Sequence, residues 1–299
     1  MVTPQTIPQT ILVTGASRGI GLLTAKALAQ RGHTVFASMR NISGRNRDAA
    51  SRLQTWASET GFTVKPIELD VTDQSSVDQA VAAILAEGEL DVLVNNAGFM
   101  PVGVTEAFTP EQQQACFDVN MFGLARTSRA VLPHMRERGS GLLVNLSSSA
   151  GRLTIPHFGL YCASKWAMEA YCEALHYELE PFGIDSVLVE PSGHGTDLVS
   201  SSPAPADAST VEAYGPFGGG RERLLGMFQD MFEQGDAITN AGNVARKIVG
   251  LVEMEGPRPI RTQVGQDMGV EAVNDATAPI QAGLVEGLKP VYLPETVAS

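Results

Sequence analysis

Short apolar runs alternate along the chain with longer segments in which apolar residues recur at helical spacing. The apolar runs predict strands at residues 10–14, 34–39, 62–69, 92–94, 142–146, 186–189 and 259–264. Helices are predicted up to residue 31, at 43–60, from 72 or 73, at 110–139, up to 181, at 221–234 and at 243–255. Such alternation is typical of βαβ units, so we predict an α/β Rossmann fold whose doubly wound parallel sheet has about seven strands.

The later part of the chain departs from this alternation. Residues 200–220 are rich in Ser, Pro, Ala and Gly, and too little chain follows them to build a second independent domain. We therefore predict a single domain over residues 1–299, with a flexible tail at 1–9. Residues 198–235 are expected to form a substrate-binding loop with helices, and 265–299 a weakly helical C-terminal extension.

Composition narrows the class of protein. The 299 residues are 43% hydrophobic, and 21 basic against 33 acidic residues give a net charge of −12. This charge argues against nucleic acid or an anionic membrane as the partner. No apolar run approaches the ~20 residues that span a bilayer. The cysteines lack metal-ligand spacing, and the first nine residues lack the features of a secretory signal, so we predict a cytoplasmic protein without a metal.

A glycine-rich turn follows the first strand. Residues 14–21 read TGASRGIG, a G-x-x-x-G-x-G spacing that differs from the common G-x-G-x-x-G fingerprint. Glycines let the backbone approach a pyrophosphate closely, and the helix that follows offers N–H groups and a positive dipole end. A ligand-free turn would show the same pattern. The predicted cofactor contacts here are Gly15, Ser17, Arg18, Gly19, Ile20 and Gly21.

The turn resembles the TGxxxGxG signature of the short-chain dehydrogenase/reductase family, and further motifs follow in that family's order. They are Asp70, the sequence Asn95-Asn96-Ala97-Gly98, Asn120, Ser148, Tyr161 and Lys165. The resemblance covers residues 10–196. The spacing is unlike the TGxxGxxG of the family's extended members, which modify sugar nucleotides.

The resemblance implies a set of cofactor contacts beyond the glycine turn. It implies that Asp70 accepts a hydrogen bond from the adenine amino group and that Val71 lines the ring. The segment Asn96, Ala97 and Gly98 is expected near the adenosine ribose, and Lys165 is expected at the nicotinamide ribose. After the sixth strand the implied contacts are Pro191, Gly193 and Thr196, although Ser192 stands where the family usually has glycine. We expect His194 to pack within this loop and Asp197 to cap a helix.

The end of the second strand favours one nicotinamide cofactor. A ribose-binding acid is expected about 20 residues after the glycines, and Ser38 stands at that place. Arg40 follows, and Arg18 lies inside the glycine turn. Because arginine suits bidentate phosphate contacts, we predict NADP(H) rather than NAD(H).

Tyr161 and Lys165 are four residues apart on a predicted helix and therefore share one face. An isolated phenol titrates near ~10, and a nearby ammonium is expected to lower its pKa. Ser148 lies thirteen residues before the tyrosine and three before Gly151, the family's separation for the catalytic serine. The resemblance implies that Ser148 binds the substrate oxygen and that Asn120 distorts its helix and holds a water that links the lysine to solvent.

These residues together predict reversible hydride transfer between NADP(H) and a ketone or secondary alcohol, by a carbonyl reductase or a hydroxysteroid-type dehydrogenase. Tyr214, Phe217 and neighbouring apolar residues favour an apolar or bulky substrate. Residues 258–262 are similar to steroid- and retinol-type members. Family behaviour implies a homodimer or homotetramer. The alternatives are a non-catalytic NADP-binding sensor and a nucleotide-sugar epimerase or dehydratase.

Overall fold

The computed structural model describes residues 7–293, so residues 1–6 of the predicted tail and 294–299 of the predicted extension lie outside it. Seven parallel strands form one sheet in the order β3-β2-β1-β4-β5-β6-β7. The strands are β1 (Thr10–Val13), β2 (Thr34–Met39), β3 (Val64–Glu68), β4 (Val92–Asn95), β5 (Gly141–Leu146), β6 (Ile184–Pro191) and β7 (Arg261–Val264). The predicted doubly wound parallel sheet is confirmed.

Helices cover both faces of this sheet. They are α1 (Gly19–Gln30), α2 (Arg47–Thr60), α3 (Gln74–Glu87), α4 (Pro110–Phe117), α5 (Leu124–Arg138), α6 (Gly159–Leu179), α7 (Asp197–Ser200), α8 (Ala208–Ala213), α9 (Gly220–Glu233), α10 (Gly242–Val252) and α11 (Val270–Tyr292). Ile11 and Val13 of β1 pack with α1, α2 and α10, whereas Leu12 packs with α3, α5 and α6. Alternate residues of β1 therefore contribute to a buried apolar layer on each face of the sheet.

The strand order places a crevice at the centre of the sheet. Ile11 of β1 pairs with Val35 of β2 on one side and with Val92 of β4 on the other. After β1 the chain adds β2 and β3 on one side of it, and then crosses over to place β4 on the other side. In open parallel sheets a ligand binds beyond the carboxyl ends of the strands at this point of reversal.

The predicted helix at 110–139 is interrupted. It begins at Pro110 as predicted, with Thr109 as its N-cap, but a π-helical segment at Asp118–Gly123 separates α4 from α5. This segment contains Asn120. A π turn holds one extra residue, so it accommodates a side chain that would otherwise disturb a regular helix.

Two other elements differ from their predicted form. The predicted start of α2 at residue 43 is wrong, because Asn41 has a φ of 52° and the chain turns until Asn46. The C-terminal extension was predicted to be weakly helical, yet α11 is a 23-residue helix that contains Pro279 and Pro290. Within residues 7–293 no helix combines the length and apolarity needed to cross a bilayer.

Candidate active site

The glycine turn between β1 and α1 allows unusually close backbone contacts. Gly15 and Gly19 have φ values of 67° and 58°, which favour glycine. A Cβ on Gly15 would lie 2.9 Å from Cα of Ala97, and one on Gly21 would collide with the side-chain amide of Asn96. No side chain caps the N-terminus of α1, and its first turn has no acidic residue. The turn therefore fits a pyrophosphate.

Thr14 fixes the segment opposite this turn and was missing from the predicted site. Its Oγ1 accepts hydrogen bonds from the backbone N–H groups of Asn96 (2.9 Å) and Ala97 (3.0 Å), and donates to the carbonyl of Val94 at 3.3 Å. Nδ2 of Asn96 donates to the Thr14 carbonyl at 2.8 Å. The place of Thr14 at the start of the TGxxxGxG signature was the available signal.

We expect Thr14→Val to lower the free energy of unfolding by about 1 kcal/mol, because it leaves the partly buried N–H group of Ala97 without its acceptor, whereas the Asn96 N–H keeps the Val94 carbonyl at 3.1 Å. Thr24→Val in α1 is the matched control. Thr24 is also buried, and its hydroxyl has no hydrogen-bond partner among the described residues, so valine should be neutral or stabilising there. Urea unfolding of both variants measures the difference. Equal losses in the two variants would contradict the assigned role of Thr14.

Asp70 and Val71 lie at the end of β3, facing the crevice side of the sheet. Oδ1 of Asp70 accepts from the backbone N–H (3.0 Å) and hydroxyl (2.7 Å) of Thr72. The N-cap of α3 is Asp73, so Asp70 is not engaged in capping this helix. Val71 packs against Gly123 in the π segment, where a Cβ would lie 2.8 Å from Cγ2 of the valine. The adenine contact that the resemblance implies for these two residues stays a prediction.

The end of β2 presents an arginine to the surface. The Ser38 side chain is fully buried, so Arg40 is the first side chain of this strand end that is exposed. The loop that follows is held by Glu68, whose carboxylate accepts from the backbone N–H groups of Asn41 (2.5 Å) and Ile42 (2.7 Å). Arg40 has no ion-pair partner within the part of the chain that the structure describes. It is therefore available to an anionic ligand.

Tyr161 and Lys165 lie on one face of α6, and each is 6% exposed. Burial raises the pKa of the Tyr161 phenol, and the neighbouring Ser148 hydroxyl opposes this shift. Burial also lowers the pKa of Lys165 to about 8. The lowering of the tyrosine pKa expected from the lysine is therefore wrong, because desolvation of the phenolate raises this pKa. Nζ of Lys165 donates to the Leu146 carbonyl at 2.7 Å and lies 5.9 Å from the centre of the Tyr161 ring.

Three consecutive serines follow β5, and the structure separates their surroundings. Ser148 caps the short 3₁₀ turn Ser149–Gly151, and its Oγ accepts from the backbone N–H of Ala150 at 3.2 Å. The Ser148 hydroxyl also lies beside the Tyr161 phenol. The Ser147 hydroxyl faces Glu169 instead. Ser148 is thus the serine beside Tyr161, as the spacing predicts.

Asn120 joins the π segment to α6 and to the end of β4. Its Oδ1 accepts from the backbone N–H of Phe99 at 3.0 Å, and its Nδ2 donates to the Phe99 carbonyl at 2.9 Å. Nδ2 also donates to Oγ of Ser164 at 3.0 Å, and Ser164 donates to the carbonyl of Tyr161 at 2.8 Å. Asn120 is therefore connected to the backbone of the helix that carries Tyr161 and Lys165.

The loop after β6 closes over the glycine turn. Thr196 caps α7 by accepting from the backbone N–H of Leu198, and its side chain would contact a Cβ on Gly19. Asp197, expected to be a cap, is instead the first residue of α7, and its carboxylate lies 3.7 Å from Arg18. The loop thus touches the predicted phosphate site.

Three further residues, from the end of β6 and the loop that follows it, are packed. Pro191 ends β6, and Gly193 lies against α9 near Met231. His194 is buried within its own loop with Nδ1 2.9 Å from the Ser192 carbonyl, which agrees with the packing role predicted for it. Burial lowers the pKa of His194.

An apolar cluster covers Tyr161. It consists of Met100, Val102, Phe158, Tyr161 and Cys162, with Leu198, Leu224, Leu225 and Phe228 packed against it. Arg221, which the sequence did not single out, fastens α9 by donating to the carbonyls of Val102 (3.0 Å) and Ser202 (2.8 Å). The aromatic residues Tyr214 and Phe217, predicted to shape this site, are instead exposed.

Comparisons with known proteins agree with this geometry. The family model described as short chain dehydrogenase matches residues 9–206. A 3-ketodihydrosphingosine reductase of Bacteroides thetaiotaomicron is 40% identical over 195 residues, which cover 65% of this chain and 67% of that protein. Retinol dehydrogenase 8 of Bos taurus is 36% identical over 256 residues, or 81% of this chain and 78% of that one.

A solved structure has the same overall arrangement. The crystal structure of a short-chain dehydrogenase from Streptomyces avermitilis is 34% identical and has a TM-score of 0.73, with 95% of this chain and 98% of that chain covered. The family model matches well over half of the present chain, and the relatives extend the similarity beyond it. The protein is therefore an oxidoreductase of the short-chain dehydrogenase/reductase family.

Proposed function

We propose that the protein catalyses reversible hydride transfer between NADP(H) and a ketone or secondary alcohol, as a carbonyl reductase or a hydroxysteroid-type dehydrogenase. The observation that carries this proposal is the buried Tyr161 phenol, which has the Ser148 hydroxyl beside it and Lys165 one helical turn away. This arrangement lies at the end of β5, on the edge of the sheet where the glycine turn also lies.

In the direction of reduction, the hydroxyls of Ser148 and Tyr161 donate hydrogen bonds to the substrate carbonyl oxygen. NADPH, when bound, supplies the hydride to the carbonyl carbon. Tyr161 then transfers its proton to the oxygen, and the raised pKa of the phenol keeps that proton in place until negative charge develops there. The Lys165 ammonium stabilises the phenolate that is left. Asn120 would hold the water that returns a proton to this pair.

The cofactor contacts follow the order of the motifs. The glycine turn would hold the pyrophosphate, and Asp70 and Val71 the adenine. The segment from Asn96 to Gly98 would line the adenosine ribose, Lys165 would bind the nicotinamide ribose, and Thr196 with its loop would reach the carboxamide or pyrophosphate. The preference for NADP(H) is supported by the exposed Arg40 at the end of β2, which has no ion-pair partner among the described residues, whereas Arg18 in the turn lies 3.7 Å from Asp197 and would have to exchange that partner for the phosphate.

The proposed substrate is an apolar ketone. The side chains packed around Tyr161 are apolar, and α9 brings Leu224, Leu225 and Phe228 to them. Two relatives carry the names of 3-ketodihydrosphingosine and retinol, from which we take only an apolar substrate class for this chain. A homodimer or homotetramer in the cytoplasm remains our prediction for the assembly and its location.

The test is to incubate the protein with NADPH and a panel of long-chain, aromatic and polycyclic ketones while following the absorbance of the reduced nicotinamide. We expect oxidation of NADPH with the apolar ketones, and a higher kcat/KM with NADPH than with NADH. Tight binding of NADPH without turnover of any ketone would indicate the sensor. Turnover of nucleotide sugars alone would indicate the epimerase or dehydratase.

A further inference from the structure

The face of α6 that carries Tyr161 and Lys165 continues with two acidic residues. Tyr161, Lys165, Glu169 and Glu173 follow one another at steps of four residues, so each side chain lies one turn from the next along a row that drifts slowly around the helix. Glu169 is 2% exposed, and the mechanism above gives it no part. A buried carboxylate is strongly unfavourable unless it is paired. The partners of Glu169 therefore indicate its role.

Glu169 contacts two separate parts of the fold. Its Oε2 accepts a hydrogen bond from Nε of Arg261, in β7, at 2.9 Å. Its Oε1 faces the turn that carries the catalytic serine. A Cβ on Gly151 would lie 2.6 Å from Oγ of Ser147 and 3.2 Å from this oxygen. Glu169 thus packs against the serine turn at Gly151 and links this turn to β7, and neither its Oε1 nor Oγ of Ser147 has a hydrogen-bond partner among the described residues.

Arg261 faces two further carboxylates. It donates to Glu173 through Nη1 at 3.1 Å and through Nη2 at 2.8 Å. Glu190, at the end of β6, is fully buried, and its Oε1 lies 3.5 Å from Nε of the arginine. Among the described residues this oxygen has no hydrogen-bond donor, while Oε2 accepts from Nδ2 of Asn274 in α11 at 2.7 Å. We call Glu169, Glu173, Glu190 and Arg261 the acid cluster.

The acid cluster contains more negative than positive groups. Among the described residues, two further cations lie near it: Arg152, at its edge, donates to Thr277 of α11 at 2.7 Å, and Lys165 lies one helical turn from Glu169. Burial, with the charge of Glu169, raises the pKa of Glu190 to about 7, and burial also raises that of Glu169. Arg261 gives its hydrogen bond to Glu169 and none to Glu190. The proton therefore belongs on Glu190 and the negative charge on Glu169.

We propose that Glu169 is a positioning residue, which packs against the serine turn and keeps the Lys165 ammonium charged, while Glu190 holds the proton that the acid cluster retains. Lys165 lies one helical turn from Glu169. Burial lowers the pKa of this lysine, and the charges of Cys116, Glu169 and Cys172 would oppose that shift. Burial raises the pKa of both thiols, so they stay protonated and Glu169 is the negative charge that acts on the lysine. The inference rests on the proposed function, because only that function gives Lys165 a chemical role.

The first test uses thermal unfolding of the protein without cofactor or substrate. A raised pKa means that the contribution of Glu190 to stability is present below its unfolded pKa and is lost as the pH rises through about 7. Glutamine at this position cannot titrate. We expect the Tm of Glu190→Gln, relative to the original protein, to rise by several degrees between about pH 5.5 and about pH 8.5.

Glu173→Gln is the matched control for this measurement. It removes a carboxylate that also accepts hydrogen bonds from Arg261. Glu173 is only half-buried, however, and Arg261 lowers its pKa although burial opposes this shift. Its titration in the folded state therefore lies below the tested range, and the Tm difference should stay constant across it. A Glu190→Gln difference that is equally constant would overturn the assignment of the proton.

The second test follows ketone reduction as a function of pH. Because Glu169→Gln removes the charge that favours the ammonium, the alkaline limb of kcat should move to lower pH by about one unit. Glu173→Gln should leave that limb in place. A structural defect alone would lower kcat at every pH without moving the limb. An unmoved limb in Glu169→Gln, or an equal shift in both variants, would overturn the proposal.

Ser147→Ala provides a second variant for this test if Glu169→Gln does not fold. Ser147→Ala removes the hydroxyl that lowers the Glu169 pKa, and it should move the same limb in the same direction by a smaller amount. An unmoved limb in Ser147→Ala would then count against the proposal. Failure of the proposed function has a different signature: no ketone would be reduced at any pH, while the unfolding measurements would still report on the acid cluster.

Discussion

Tyr161→Phe is expected to lower kcat for ketone reduction by about 10³-fold, because it removes the only proposed proton donor and leaves the ring in place. The Ser148 hydroxyl still binds the carbonyl oxygen, so a small residual rate is expected. The phenol lies within an apolar cluster, and its loss creates no large cavity. Steady-state kinetics with saturating NADPH measure the effect, and the Kd for NADPH should change by no more than about threefold.

Tyr177→Phe is the matched control, since it removes a hydroxyl from the same helix. The Tyr177 hydroxyl donates to Oε1 of Glu173 at 3.4 Å, away from the Tyr161 phenol. Its removal should leave kcat within about twofold of the original value. A Tyr161→Phe enzyme that retains nearly full kcat would remove the central element of the proposed mechanism.

Arg40→Glu is expected to lower the ratio of kcat/KM for NADPH to that for NADH by about 100-fold. Arginine makes charge-assisted contacts with a 2′-phosphate, each of about 1.5–3 kcal/mol, and every 1.4 kcal/mol corresponds to about tenfold. Glutamate would in addition repel the phosphate and accept from a free 2′-hydroxyl. The measurement compares both cofactors at a saturating ketone concentration.

Arg52→Glu tests whether the effect is local. Arg52 is an exposed residue of α2 and undergoes the same reversal of charge. It should change the cofactor ratio by no more than about twofold, because exposed charges are screened by salt over about 10 Å. If Arg52→Glu and Arg40→Glu have equal effects, or if the original protein already prefers NADH, the proposed role of Arg40 is incorrect.

The sheet was predictable because its signal is local. A buried parallel strand is a short apolar run, and Val92–Asn95 lies close to the predicted residues 92–94. The proximity of Ser148 to Tyr161 was predictable for another reason. Strand ends of a parallel sheet meet at one edge, so the order of the motifs already indicates which residues come together.

Features that depend on packing could not be predicted from local sequence patterns. The π segment was hidden because the apolar pattern of residues 110–139 is compatible with a continuous helix, and only Asn120, a poor helix former, indicated a disturbance. The length of α11 was underestimated because Pro279 and Pro290 suppress intrinsic helicity. The contacts of Asn274 and Thr277 with the acid cluster and Arg152 help to hold this helix in place.

The direction of the Tyr161 pKa shift likewise could not be predicted from the sequence pattern. The spacing from Lys165 predicts a favourable electrostatic effect on the phenolate, but burial raises the pKa instead, and part of that burial comes from Met100 and from α9, distant in sequence. Glu169 likewise continues the visible four-residue step, yet its partner Arg261 lies 92 residues away. A pattern of side chains on one helix does not reveal what covers them.

The acid cluster also has a consequence for the order in which the protein matures. Translation delivers Glu169, Glu173 and Glu190 before Arg261, and β7 docks at the edge of the sheet beside β6. Until that edge strand arrives, Glu169 and Glu173 lack the arginine that donates hydrogen bonds to them, and burying them is unfavourable. We therefore expect this end of α6 to become fully buried only after β7 has been made.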